Sequence, residues 1–152
     1  MHQSIINFTN IQNSIKENQE KTNNKNNIKI IAVSKTFEIS HINPLIDYGH
    51  TDFGENKVQE AIEKWSDIKL KNQNLSLHLV GKLQSNKTKL ALKIFDYIHS
   101  LDSEKLANKI SEEQKKIDKK PKLFIQVNIG NEDQKSGVNP NNLKTFYQYC
   151  LD

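Results

Sequence analysis

Arginine is absent from this 152-residue chain, and cysteine occurs once, at Cys150. Without arginine there is no rigid bidentate fork of the kind used on guanine or phosphate. The formal charge of +4 is therefore carried by lysine. Most of those lysines alternate with Glu or Asp, so they read as a solvated surface, and a Lys-rich nucleic-acid-binding module is only the outlying alternative. A single cysteine rules out an internal disulfide framework and is compatible with a reducing compartment. Cys150 shares an apolar helical face with Leu143, Phe146 and Tyr147, where a thiol packs as a small hydrophobe. No stretch approaches the roughly 18 apolar residues that span a bilayer, and the opening MHQSIINFTN lacks a basic start followed by an apolar run. A soluble, cytoplasmic protein with no membrane, nucleic-acid or metal partner is expected.

Hydrophobic residues make up 35% of the chain, and the deficit lies in Asn- and Lys-rich stretches such as residues 21 to 27. Ile5, Phe8, Ile11 and Ile15 recur at helical spacing before that stretch. This divides the chain into an N-terminal helix with a polar linker over 1 to 27 and a domain over 28 to 152. Within the domain, strand-like runs (Ile28 to Ser34, a weak one at Thr51 to Gly54, Leu75 to Val80, Tyr97 to Leu101, Lys122 to Ile129) alternate with amphipathic stretches. Ser40 is placed to cap the first of these helices and Gly49 to end it, while Asn86 resembles the cap of a later one. Asn139 followed by Pro140 signals the start of the last helix. Strict alternation implies a parallel sheet with right-handed crossovers, about five βα units long. No GxGxxG or GxxxxGK[ST] follows a strand, which removes the commonest nucleotide-binding versions and leaves part of a (β/α)8 barrel as the alternative.

In such folds reactive groups gather where strands end. The first strand ends in AVSKT with Lys35, the second in FGENK with Asn56, the third leads from His78 into VGKLQSNK, and the fifth runs into NIGNEDQKSG with Lys135. Lys35 shares strand parity with Ile31 and Val33, so an inward-facing parity would place its amine in a partly desolvated mouth. A neutral amine is what attack on an aldehyde requires. A strand-end lysine is also, commonly, just solvated. His78 lies inside an apolar strand and reads as a satisfied core histidine before an acid or base. Trp65, Phe95 and Phe146 fall on helical faces and read as core.

AVSKT, FGEN, the H-x-x-G-x-L-Q-x-N-K pattern of residues 78 to 87, and K-S-G at 135 to 137 resemble, in order and spacing, the pyridoxal 5'-phosphate (PLP) homeostasis protein family. The resemblance runs from Ile28 to Pro140. It implies a parallel (β/α) barrel of alanine racemase N-terminal type, here about five of eight units, with PLP held as a Schiff base on Lys35. It also implies Asn56 at the barrel mouth near the cofactor and Lys135 as a second amine for moving the aldehyde. The role implied is a non-catalytic PLP carrier in intracellular PLP homeostasis, passing PLP to apo-enzymes that depend on it. A PLP-dependent amino-acid racemase is the alternative, but no acid–base pair for racemisation is evident.

The chain departs from that family in lacking its serine- and glycine-rich loop and its late Arg-x-Gly-Thr segment, which grip the phosphate and pyridine ring. Three readings are open: a truncated member, one piece of a split protein completed by a C-terminal fragment, or a minimal open sheet. The first two are favoured. An open arc is expected to expose strand edges and to associate.

Overall fold

The computed structural model describes residues 1–130 and 132–152. Five parallel strands lie side by side in chain order: β1 (Ala32–Val33), β2 (Asp52–Glu55), β3 (Ser76–Leu79), β4 (Tyr97–Leu101) and β5 (Lys122–Ile125). Helix α1 (Gln3–Lys21) precedes them, and α2 (Ile39–Asp47), α3 (Val58–Lys71), α4 (Thr88–Ile94), α5 (Glu104–Gln114) and α6 (Leu143–Leu151) follow the successive strands. A doubly wound sheet reverses its strand order at a switch point. The order here never reverses, so the arrangement is a barrel arc with β1 and β5 at its edges.

Register divides the sheet into two faces. Phe53 opposite Leu77, and Leu79 opposite Ile98, point towards the helices. There they meet Trp65, Leu92, Phe95 and Ile110 in a core whose members are almost wholly buried. Burying each such side chain contributes roughly 1.5–3 kcal/mol. Gly54 opposite Val33 and His78 point to the other face, which carries polar and aromatic groups instead. Trp65, Phe95 and Phe146 are buried as the sequence implies. Cys150 packs half-buried against the core, and burial pushes its thiol up from the ordinary value.

Several local expectations need correcting. The apolar stripe of α1 is only partly used: Phe8 is buried against the rings of Tyr48 and His50, whereas Ile11 is half-exposed. Ser40 does not cap α2, because that helix starts at Ile39 with Glu38 in the cap position, two residues earlier. Gly49 does end it, at φ +99°, with its N–H donating to the Ile46 carbonyl. Asn86 lies inside a 3-10 turn (Ser85–Lys87) ahead of α4 and caps nothing with its side chain. Asn139 accepts from the Asn141 N–H and opens the turn (Pro140–Asn142) that leads into α6, as anticipated. The runs predicted for β1 and β5 shrink to two and four residues. Each is an edge strand with one neighbour to pair with.

Candidate functional site

Lys35, Asn56 and the loop carrying Lys135 all follow strands at the same end of the sheet. Lys35 is exposed in a turn directly after β1. The partly desolvated mouth expected around it is not formed, because β1 is an edge and Val33, two residues back, is itself 47% exposed. The following residue, Thr36, has φ +65°, a left-handed conformation that costs a β-branched residue on the order of 1–3 kcal/mol. Such strain persists only where the surroundings hold it.

The residue before Lys35 supplies that hold. Ser34 is buried, and its N–H donates to the Gly54 carbonyl at 2.8 Å. Its hydroxyl donates to Glu55 Oε1 at 2.8 Å. Its carbonyl accepts from Lys64 Nζ on α3 at 2.9 Å and from the Phe37 N–H at 3.2 Å. Glu55, fully buried at the end of β2, also accepts from Lys64 Nζ and from Trp65 Nε1, both at 2.9 Å. Sequence reading passed over Glu55 and Lys64. The available signal was parity: Glu55 shares that of Phe53 and so faces the helices, an uncommon place for a carboxylate without partners.

Asn56 follows Glu55, and its backbone forms a platform for the next strand end. A Cβ on Gly81 would lie 2.3 Å from the Asn56 carbonyl oxygen, so only glycine allows this approach. Lys135 is exposed in the loop after β5 and pairs with Glu132 Oε1 at 2.8 Å. That loop is tied down by Asn128, whose N–H donates to the Val138 carbonyl and whose amide donates to the Glu132 carbonyl. Lys135 lines a cleft of about 400 Å³ together with Val80, Lys82, Gln126 and Ser136; neither Lys35 nor Asn56 lines it. The structure therefore sets these three residues at one end of the sheet without bringing their side chains into contact.

A second polar cluster occupies the face away from the helices. Asp52 Oδ1 accepts from Lys29 Nζ at 2.8 Å and lies 3.0 Å from His78 Nε2, while His78 Nδ1 lies 3.0 Å from His99 Nε2. The Tyr97 ring stacks on His78 and the Phe124 ring on His99. Burial lowers the His78 imidazole below its ordinary value, with the Asp52 bond opposing, and lowers that of His99, aided by the proximity of His78. Burial alone would raise the Asp52 carboxyl, but hydrogen bonds from Lys29, His78 and Thr51 together outweigh it and hold it low. His78 is thus a satisfied buried histidine, as its strand context suggested. No group of His, Cys, Asp or Glu among the described residues is arranged to hold a metal ion. No helix there is long and apolar enough to cross a membrane.

An in-order parallel βα arc that presents lysines from its strand ends defines the class: a barrel-type α/β protein, a fold whose reactive groups ordinarily gather at the C-terminal edge of the sheet. Residues 6–152 match the family model for the alanine racemase N-terminal domain, and the chain belongs to that family. It is 41% identical over 132 residues to the pyridoxal phosphate homeostasis protein of Haemophilus influenzae, covering 86% of this chain and 55% of that one. To PipY of Synechococcus elongatus PCC7942, solved with PLP bound, it is 34% identical with a TM-score of 0.72, covering 87% of this chain and 61% of PipY. Alanine racemase of Clostridium difficile 630, at 17% identity and a TM-score of 0.64, shares the fold. The chain spans little more than half the length of the curated relatives it matches.

Proposed function

We propose that this chain is a non-catalytic PLP-binding protein of intracellular PLP homeostasis, and that it holds PLP as a Schiff base on Lys35. One observation carries the reading. An exposed primary amine stands at the end of β1, held next to the anchored Ser34, in a chain 34% identical to a protein solved with PLP bound. The residues present fit the aldehyde end of PLP. For the phosphate end, the chain offers lysines and no arginine.

PLP, when bound, supplies an aldehyde that condenses reversibly with amines. Lys35 would attack through its neutral amine, with a C–N bond formed and water lost, and would be freed when another amine takes its place. Carrying the cofactor requires no second acid or base, whereas racemisation does. The relatives' description as homeostasis proteins supports the carrier role. Asn56 would border the cofactor, and Lys135, once released from Glu132, would offer the second amine. Apo-enzymes that depend on PLP are the acceptors in this reading, and the cytoplasm is its setting. A complementary C-terminal fragment supplying further βα units would pair with the free edge of β5.

The test is a PLP titration followed by visible absorbance of the imine. Wild type should develop a saturable band that Lys35→Ala lacks. An undiminished band in Lys35→Ala would reject the assignment.

A further inference from the structure

The bonds around Ser34 connect the helix side of the sheet to the residue that carries the proposed chemistry. Lys64 lies on α3, yet its ammonium reaches the Ser34 carbonyl and Glu55 Oε1 at 2.9 Å each. Its side chain is only 15% exposed, and that of Glu55 is fully buried. A peptide unit is planar, so fixing the Ser34 carbonyl also fixes the amide nitrogen and Cα of Lys35. The Phe37 N–H closes the turn on the same carbonyl, around the left-handed Thr36. Strain of that kind is kept only where neighbours over-determine the backbone, and here those neighbours are Lys64 and Glu55.

The arrangement is poorly explained as stability alone. Glu55 Oε2 is buried and has no hydrogen-bond partner among the described residues. A buried ion pair with an unsatisfied oxygen is a weak source of stability compared with an apolar pair of the same volume. What it provides is geometry: a fixed point on a rigid helix, bonded directly to the carbonyl of the Ser34–Lys35 peptide.

We infer that Lys64 and Glu55 are positioning residues that hold the Ser34–Lys35 peptide so that the Lys35 amine is presented in a single orientation for capture of an aldehyde. This rests on the Lys35 reading above. Loss of the clamp lets the turn sample other conformers, and apparent affinity falls in proportion to the fraction that stays competent.

The test compares wild type, Lys64→Met and, as a control at an exposed pair, Lys57→Met. Two quantities are measured: amide hydrogen exchange at Ser34 and Phe37 without PLP, and the PLP concentration that half-saturates the visible band. Lys64→Met should speed exchange at both amides and weaken half-saturation by about 3- to 10-fold, with Lys57→Met matching wild type in both. Lys64→Arg, which keeps a cation able to reach both oxygens, should recover most of the loss. The inference is overturned if Lys64→Met leaves exchange at Ser34 and Phe37 unchanged. It is equally overturned if exchange quickens but half-saturation stays within about 2-fold of wild type, since the clamp would then be structural only. If wild type itself shows no Lys35-dependent band, the Lys35 reading fails, and the exchange measurement still decides whether Lys64 anchors the peptide.

Discussion

Truncating Glu55 to alanine should destabilise the protein far more than any exposed ion pair would suggest. Glu55 Oε1 accepts from the Ser34 hydroxyl at 2.8 Å, Lys64 Nζ at 2.9 Å and Trp65 Nε1 at 2.9 Å, in a site without solvent exposure. Removing one partner of a buried ion pair leaves the other uncompensated and costs roughly 3–5 kcal/mol. The orphaned Trp65 N–H adds about 1–3 kcal/mol, but contacts within one network do not sum. The Ser34 hydroxyl keeps the Gly54 carbonyl at 3.2 Å and loses less. Lys64 retains the Ser34 carbonyl and a partial path to water. The net expectation is about 4 kcal/mol, a large share of the roughly 5–15 kcal/mol that holds a domain folded. Urea unfolding followed by far-UV circular dichroism reads the change, with Lys57→Ala as reference. Its exposed pair with Glu60 should contribute little beside that loss. Should Glu55→Ala unfold outright, Glu55→Gln keeps a carbonyl acceptor for Trp65 and brings the loss into range. A cost below about 1 kcal/mol for Glu55→Ala would refute the reasoning, because no buried charge would then have been stranded.

Other outcomes follow from the same geometry. Gly81→Ala drives a Cβ to 2.3 Å from the Asn56 carbonyl oxygen and should cost about 2 kcal/mol or more, seen as a lowered melting temperature; an unchanged one would contradict that close approach. Trp65→Phe keeps a buried ring but loses the donor to Glu55, so a loss of about 1–2 kcal/mol is expected in the same urea assay. Burial lowers the imidazoles of His50, His78 and His99 below the ordinary 6.5. The unfolded chain therefore takes up protons first, and stability present above that value is lost as pH falls below it. Urea midpoints measured at about pH 7.5 and about pH 5.5 should decrease in that order; a midpoint that rises on acidification would be inconsistent with buried neutral histidines.

The alternation of Val- and Ile-rich runs with amphipathic stretches made the parallel sheet legible, because strands covered by crossover helices need apolar faces in a fixed rhythm. The strand-end motifs were legible for the same reason: AVSKT, FGEN and KSG interrupt that rhythm with residues that a packed strand would not choose. What remained hidden depends on contacts distant in sequence. Glu55 meets Lys64 and Trp65 across a strand-to-helix packing, and its partners are not written in the four letters FGEN. His78 and His99 each look like isolated strand histidines until register brings His78 Nδ1 to 3.0 Å from His99 Nε2. The exposure of Lys35 was misjudged because parity says which way a side chain points but not whether a neighbouring strand is there to cover it. Among the described residues β1 is an edge, with β2 as its neighbour on one side.

Covalent capture at Lys35 is measured most directly by reduction with borohydride in the presence of PLP followed by peptide mapping. A single labelled peptide carrying the modification on Lys35, absent from Lys35→Ala, is the predicted result. Label spread over many lysines, or concentrated on another such as Lys135, would contradict it.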